Sequence, residues 1–217
     1  MSANVDAGFS IVSYTGTGAN ATVGHGLSVA PEMVIVKRRS SAQDWAVWHT
    51  DIGGGTKNLY LNKTDAVQTE APMWNSTVPT SSVISLGTYN HVNASSNTYI
   101  SYAFHSVDGY SKVGSYTGNG STDGTFVHLG LRPAYVMVKE VTDTHGWFIA
   151  DSTRTPSNVV GEYLFANLSN SEYNATQLDF TSNGFKLRTT SSTLNTSGST
   201  YIYLAFAESP FKHSNAR

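Results

Sequence analysis

Apolar and aromatic residues alternate with polar ones along short segments of the chain, and turns rich in Gly, Asn and Ser separate these segments. A period of two residues indicates half-buried β-strands. No segment keeps an apolar stripe of helical period over three turns, so we expect helices to be short or absent. The predicted strands are Phe9–Tyr14, Met33–Lys37, Trp45–His49, Asn58–Asn62, Val83–Leu86, Tyr99–Phe104, Lys112–Tyr116, Tyr135–Lys139, Trp147–Ala150, Glu162–Phe165, Phe185–Leu187 and Tyr201–Ala207.

The pattern occurs twice, displaced by about 102 residues, which indicates an internal repeat. The matched segments follow one another in the same order in both halves. With a slip of one residue, His25 aligns with His128, and Tyr60-Leu61 with Tyr163-Leu164. The segments in register are 13–18 with 115–120, 31–37 with 133–139, and 99–104 with 201–206. The sequence therefore predicts a tandem duplication.

The duplication places a first unit at 1–107 and a second at 108–217. Many short strands in each hundred residues are typical of an antiparallel β-sandwich or jelly roll. We therefore predict an all-β protein of two tandem sandwich or jelly-roll units. The alternative is one larger barrel in which the two halves exchange strands.

The composition narrows the possible functions. Charged residues make up 13% of the chain and the net charge is −2, whereas Ser, Thr and Asn together number 69. Nucleic-acid binding needs clustered Lys and Arg, so it is not expected. The chain has no apolar run long enough for a membrane span and no visible signal peptide. The absence of Cys excludes disulfides and thiol catalysis.

A Tyr-Thr-Gly-x-Gly motif occurs in both halves, with Tyr14, Gly16 and Gly18 in the first and Tyr116, Gly118 and Gly120 in the second. A phosphate-binding loop needs a helix after its glycines, but another predicted strand follows here. We interpret the motif as a turn whose glycines supply positive φ angles.

The titratable residues indicate neither a metal site nor a catalytic one. None of the seven histidines has the spacing that presents two imidazoles to one metal ion. His25 and His128 are therefore predicted to share a structural role in their turns. Glycoside hydrolysis needs two facing carboxylates, and no close pair of carboxylates recurs between the halves. We expect a non-enzymatic protein without cofactors or metals.

Four tryptophans are the remaining candidates for binding chemistry. Trp45 and Trp147 are duplicated, and we expect both to pack in the core. Trp48 and Trp74 occur only in the first half, and Trp74 is predicted to lie on a loop between Pro72 and Pro79. A loop indole could stack on a sugar, close the end of a sandwich or contact another subunit. The carbohydrate hypothesis has a candidate site of Trp48, His49, Asp51 and Trp74.

Five segments carry a family resemblance: 109–120, 131–139, 163–168, 182–188 and 201–211. They resemble a repeated β-rich domain in structural proteins of tailed bacteriophages, especially those of marine cyanobacteria. The resemblance is clearest over the second unit. The first unit departs from it at the Gly53–Gly55 turn and the Trp74 loop.

The resemblance implies a virion protein with no catalytic residues to carry over. It implies other virion proteins as partners, and we expect a homo-oligomer. Because no coiled-coil heptads are present, we expect a compact capsid decoration or knob-like protein. The alternative is a tail appendage or a host-attachment module that binds a surface glycan.

Overall fold

The computed structural model describes residues 1–209, which divide into two compact units: Met1–His105, and a second unit that begins at Ser106. Residues Pro210 and Phe211, which end the last of the five resembling segments, and His213 lie outside the described residues.

The regular secondary structure of unit 1 consists mainly of antiparallel strands. One sheet has the strand order β1-β2-β9-β4-β5-β6-β7, and β3 pairs with β8 in a separate two-stranded sheet. A 3₁₀ turn at Thr50–Ile52 and a four-residue helix α1 at Asn90–Asn93 complete the unit. The strands are β1 Ser2–Asn4, β2 Phe9–Thr15, β3 Ala21–Gly24, β4 Met33–Arg38, β5 Ala46–His49, β6 Lys57–Tyr60, β7 Gln68–Thr69, β8 Val83–Leu86 and β9 Thr98–Phe104.

Unit 2 contains one continuous antiparallel sheet that is nearly closed like a barrel. Its strand order is β10-β17-β12-β13-β14-β15-β16-β11, and a four-residue helix α2 covers Ser192–Asn195. The strands are β10 Ser111–Thr117, β11 Phe126–His128, β12 Pro133–Glu140, β13 Phe148–Asp151, β14 Val160–Phe165, β15 Tyr173–Thr181, β16 Gly184–Leu187 and β17 Thr200–Ala207.

The all-β antiparallel class predicted from the alternating pattern is confirmed, as is the shortness of the helices. The alternative of one barrel with exchanged strands is wrong for residues 1–209, because β1–β9 and β10–β17 form separate sheets. The order β2-β9-β4-β5-β6 in unit 1 matches β10-β17-β12-β13-β14 in unit 2. The jelly-roll duplication itself stays a prediction.

Alternation along the strands creates one buried cluster in each unit. In β9 every second residue, from Tyr99 to Ala103, is buried, while the residues between them are partly exposed. The largest members of the unit 1 core are Trp48, Tyr60, Met73, Trp74 and Tyr99. The largest members of the unit 2 core are Tyr116, Phe148, Phe180, Phe185, Tyr201 and Tyr203.

The two units close their sheets differently. In unit 2 the long strand β15 joins β14 to β16. Unit 1 has no such strand, and the segment around Trp74 packs into its core instead. Added Cβ atoms would lie 2.4 Å from the Thr77 nitrogen at Gly55 and 1.7 Å from the Pro72 oxygen at Gly87. These two glycines therefore make room for the backbone of the Trp74 segment.

Strand register corrects the two slipped alignments. Tyr60 lies opposite Ala46, and the corresponding partner of Phe148 is Phe165, not Tyr163. The turn before β11 is longer than the turn before β3, so His25 corresponds in the structure to Leu129. Each of these two residues donates its backbone N–H to a carbonyl just beyond the paired strands. His25 is buried, whereas His128 is exposed, so the shared role predicted for the two histidines is wrong.

Candidate functional site

In unit 1 the Tyr-Thr-Gly-x-Gly turn is held by the side chains of Tyr14, Asn93 and Tyr99. Tyr14 donates its hydroxyl to the Val92 carbonyl over 2.7 Å. Tyr99 donates to the Asn90 carbonyl over 2.8 Å. The Asn93 side chain accepts from the Thr17 nitrogen and donates to the carbonyls of Ala19 and Gly87. We call this arrangement the tyrosine–asparagine clasp.

Unit 2 contains the same clasp at the equivalent positions. Tyr116 donates to the Leu194 carbonyl over 2.8 Å, and Tyr201 donates to the Ser192 carbonyl over 2.7 Å. Asn195 accepts from the Asn119 nitrogen. Its amide group donates to the carbonyls of Ser121 and Thr189.

The sequence interpretation did not identify Asn93 and Asn195, although both were visible as identical residues at equivalent positions. Both side chains are buried and satisfy the backbone of loops that no strand pairs. Buried backbone groups without a partner are costly. The asparagines therefore act as the hydrogen-bonding centre of each turn.

The glycines of the motif have two different roles. Gly18 and Gly120 have φ angles of 75° and 68°, as the turn interpretation expected. At Gly16 an added Cβ would lie 2.2 Å from the Ala94 oxygen, and at Gly118 it would lie 2.3 Å from the Thr196 oxygen. The first glycine of each motif is therefore required by the close approach of two backbone segments.

The structure brings Trp48 and Trp74 together in the unit 1 core, with exposed fractions of 3% and 1%. Trp48 donates its indole N–H to the Gly54 carbonyl over 3.2 Å. His49 is also buried, and its Nδ1 accepts from the Asp51 backbone nitrogen. Only Asp51 of the four candidate sugar-binding residues is exposed. Neither indole offers a ring face to a ligand.

The duplicated tryptophans are not equivalent in burial. Trp147 is buried, as predicted, whereas Trp45 is only partly buried. The Lys37 ammonium lies 5.5 Å from the centre of the Trp45 ring. Trp45 therefore covers a lysine side chain as a cation–π partner.

A polar cluster of unit 1 surrounds Asp44, which lies just before β5. The Asp44 carboxylate accepts from Lys63 over 2.8 Å and from Asn62 over 2.8 Å, and His91 lies 3.2 Å away. Burial works against the charged form of Asp44, but these hydrogen bonds hold its pKa below the ordinary value. The bond to Asp44 raises the pKa of Lys63.

Glu70 extends the same cluster towards the aromatic residues. Its carboxylate accepts from the Tyr60 hydroxyl over 2.6 Å and from the Tyr89 hydroxyl over 3.1 Å. Burial, and then the Glu70 carboxylate, raises the pKa of Tyr60. The His91 ring stacks on Tyr89 with centroids 4.9 Å apart. The cluster therefore ties the Trp74 segment to α1 by charged and aromatic contacts.

Unit 2 places a buried carboxylate, Glu140, at the position equivalent to Arg38. The Glu140 side chain accepts from the Thr142 hydroxyl over 3.0 Å, and His145 lies 3.2 Å away. Among residues 1–209, no group of three or more His, Asp or Glu side chains could hold a metal ion. No helix in this part of the chain is long and apolar enough to cross a membrane.

A family model described as a domain of unknown function, DUF7483, matches residues 1–210 of the chain. No curated protein matches the chain. The crystal structure of the STIV MCP aligns with 96% of this chain and 99% of its own, at 9% identity and a TM-score of 0.26. That TM-score is too low to relate the two folds.

Proposed function

We propose a structural role in a virus particle for this chain, which belongs to the DUF7483 family, a domain of unknown function. The proposal is supported by the sequence segments that resemble structural proteins of tailed bacteriophages. It includes the tandem duplication into units 1–107 and 108–217, and a capsid-surface or knob-like location on a phage of marine cyanobacteria.

The observation that carries the proposal is that the duplicated Tyr-Thr-Gly-x-Gly motif has a structural role in both units. The polar groups of both clasps bond to backbone atoms of their own unit. The motif residues therefore hold loops in place. A repeated motif used for scaffolding fits a structural protein better than an enzyme, and we propose a non-enzymatic role.

Self-assembly and contact with other virion proteins belong to the same proposal. β11 is the last strand in the sheet order of unit 2, and its Phe126 side chain is 44% exposed. The edge of a sheet presents unpaired backbone groups that a strand of another chain can pair with, and an exposed aromatic side chain there adds apolar contact area. We place the homo-oligomer contact at this edge.

The experiment has two parts. Antibody against the purified chain should label intact phage particles, and light scattering should give a multiple of the monomer mass. Phe126→Ser should reduce the mass to that of a monomer, whereas Val78→Ser, at an exposed position of unit 1, should not. A monomeric chain together with unlabelled particles would overturn the proposal.

The carbohydrate-binding alternative receives no support from Trp48 and Trp74, because both indoles are buried. We therefore do not propose a glycan site at these residues.

A further inference from the structure

Three consecutive cations lie at the end of β4 of unit 1 and directly after it, and none of them pairs with a carboxylate in residues 1–209. Lys37, Arg38 and Arg39 form no ion pair with any carboxylate in residues 1–209. Other cations of the chain do form such pairs, among them Lys63, Arg154 and Arg188. Lys37 bonds to the Gln43 carbonyl and Arg38 bonds to Asn97. Arg39 is exposed, and no side-chain bond of its guanidinium is found in the described chain.

Arg39 lines a cleft of about 200 Å³ together with Ser13, Tyr14, Thr15, Thr98 and Tyr99. Thr15 and Thr98 are direct cross-strand partners, and the Arg39 nitrogen donates to the Thr98 carbonyl over 2.7 Å. The three residues therefore lie side by side on neighbouring chain segments. The cleft is smaller than the pockets that enclose drug-sized ligands, so it suits a single small group.

The polar groups around this cleft are available to a ligand. The hydroxyls of Ser13, Thr15 and Thr98 make no side-chain hydrogen bond within residues 1–209, and all three residues are exposed. A planar guanidinium presents two parallel N–H donors that match an oxyanion. Hydroxyl groups beside it can donate to the remaining oxygens.

We propose that this cleft binds a sulfate or phosphate group, with Arg39 supplying the charge and Ser13, Thr15 and Thr98 supplying hydroxyl donors. The proposal does not rest on the virion role.

Unit 2 provides an internal comparison. The equivalent hydroxyl residues are Ser115, Thr117 and Thr200, but Val141 replaces Arg39. Val141 is buried and donates its backbone nitrogen to the Thr200 carbonyl, as Arg39 does to Thr98. The backbone arrangement is thus the same without the cation. We expect an oxyanion to bind in unit 1 only.

The test is a titration of the full chain with sodium sulfate and with sodium phosphate. The titration is monitored through the amide NMR signals at constant ionic strength. Signals of Thr15, Arg39 and Thr98 should shift to saturation, while those of Thr117, Val141 and Thr200 stay unchanged. Arg39→Gln should weaken binding at least tenfold, and Arg39→Lys should weaken it less. Lys112→Gln removes the same charge from unit 2 and should leave binding unchanged.

A second titration distinguishes a free anion from an ester carried by a saccharide. Glucose 6-sulfate, glucose 6-phosphate and glucose are compared on the same protein. Binding of either ester, or of either inorganic anion, that depends on Arg39 supports the site and identifies its source. Equal shifts in both units, unchanged binding by Arg39→Gln, or binding of unmodified glucose would overturn the proposal.

Discussion

The rings of Tyr116 and Tyr201 stack in unit 2, with centroids 5.0 Å apart and planes 10° apart. Tyr14 and Tyr99 stack in the same way in unit 1, at 5.2 Å and 12°. Each stack directs two phenol hydroxyls at backbone groups in or beside the short helix of its unit. Burial raises the pKa of Tyr116, so the hydroxyl keeps its proton for the hydrogen bond.

Replacing Tyr201 by Phe should lower the free energy of unfolding by about 2 kcal/mol, because a buried hydrogen-bonded group is lost. The hydroxyl both donates to the Ser192 carbonyl and accepts from the Thr196 nitrogen. Urea denaturation measures the change. Tyr173→Phe is the control, since no bond of the Tyr173 hydroxyl is found in residues 1–209. An equal loss in both variants would contradict the clasp.

Gly118→Ala should destabilise the chain by roughly 2 kcal/mol or more, since the new methyl group overlaps a backbone carbonyl that has little freedom to move. The clearance at this position is 2.3 Å to the Thr196 oxygen. Gly24→Ala is the matched substitution, because its nearest atom is 3.8 Å away. Thermal melts of the two variants should differ clearly, and similar melting temperatures would rule out the close-approach role.

Trp74→Ala should cost about 3–5 kcal/mol, as expected for a large aromatic removed from a core. Trp74→Phe should cost less than Trp48→Phe. The Trp74 indole nitrogen is buried without a hydrogen-bond partner in residues 1–209, whereas that of Trp48 donates to Gly54. Denaturant midpoints of the two Phe variants measure these two costs. A larger cost for Trp74→Phe than for Trp48→Phe would contradict the claim that the Trp74 indole nitrogen has no hydrogen-bond partner in residues 1–209.

The fold should lose stability as the pH falls below about 6.5, because of His25. Its Nε2 bonds to the Thr80 carbonyl, and its Nδ1 accepts from the Leu27 nitrogen over 3.3 Å. Burial lowers the pKa of His25 from the ordinary value of 6.5, against the Thr80 bond, and His105 lowers it further. Protonation would turn Nδ1 into a donor facing another donor.

The unfolded chain therefore takes up a proton at a higher pH than the folded one. Stability from the neutral His25 ring is complete above the unfolded pKa and is lost as the pH falls towards the folded pKa. Melting temperatures from pH 7.5 to 5.5 measure this slope. His25→Asn should be less stable at neutral pH but should show a smaller slope. An unchanged slope would assign the effect to other groups.

The sequence pattern predicted the strands whose two faces differ in polarity, such as β9 and β17. It missed β15, because the half that begins at Tyr173 is polar and mostly exposed, and the other half buries polar residues beside Leu178 and Phe180. A strand of this kind forms through pairing with its neighbours, here β14 and β16. Such pairing is not encoded in the hydrophobic pattern of the segment itself.

The candidate binding residues were less predictable than the strands. A loop tryptophan between prolines suggests exposure, yet Trp74 is buried because Gly55 and Gly87 make room for the backbone on either side of it. These glycines are distant in sequence from Trp74, so only the folded chain shows the fit. The anion site proposed at Arg39 is also visible only in the folded chain. It depends on the lack of a carboxylate partner for Arg39 in residues 1–209 and on hydroxyl groups contributed by two strands, β2 and β9.

The clasp side chains bond to main-chain atoms, and this has a consequence for how such domains diverge. The residues whose backbone is bound differ between the units: Val92 and Leu194, Asn90 and Ser192, Gly87 and Thr189. A main-chain partner keeps its bond whatever side chain it carries. Mutations can therefore accumulate around two tyrosines, one asparagine and a tight glycine without loosening the turn. Distant copies of this domain should be recognisable by those four residues long after the rest has changed.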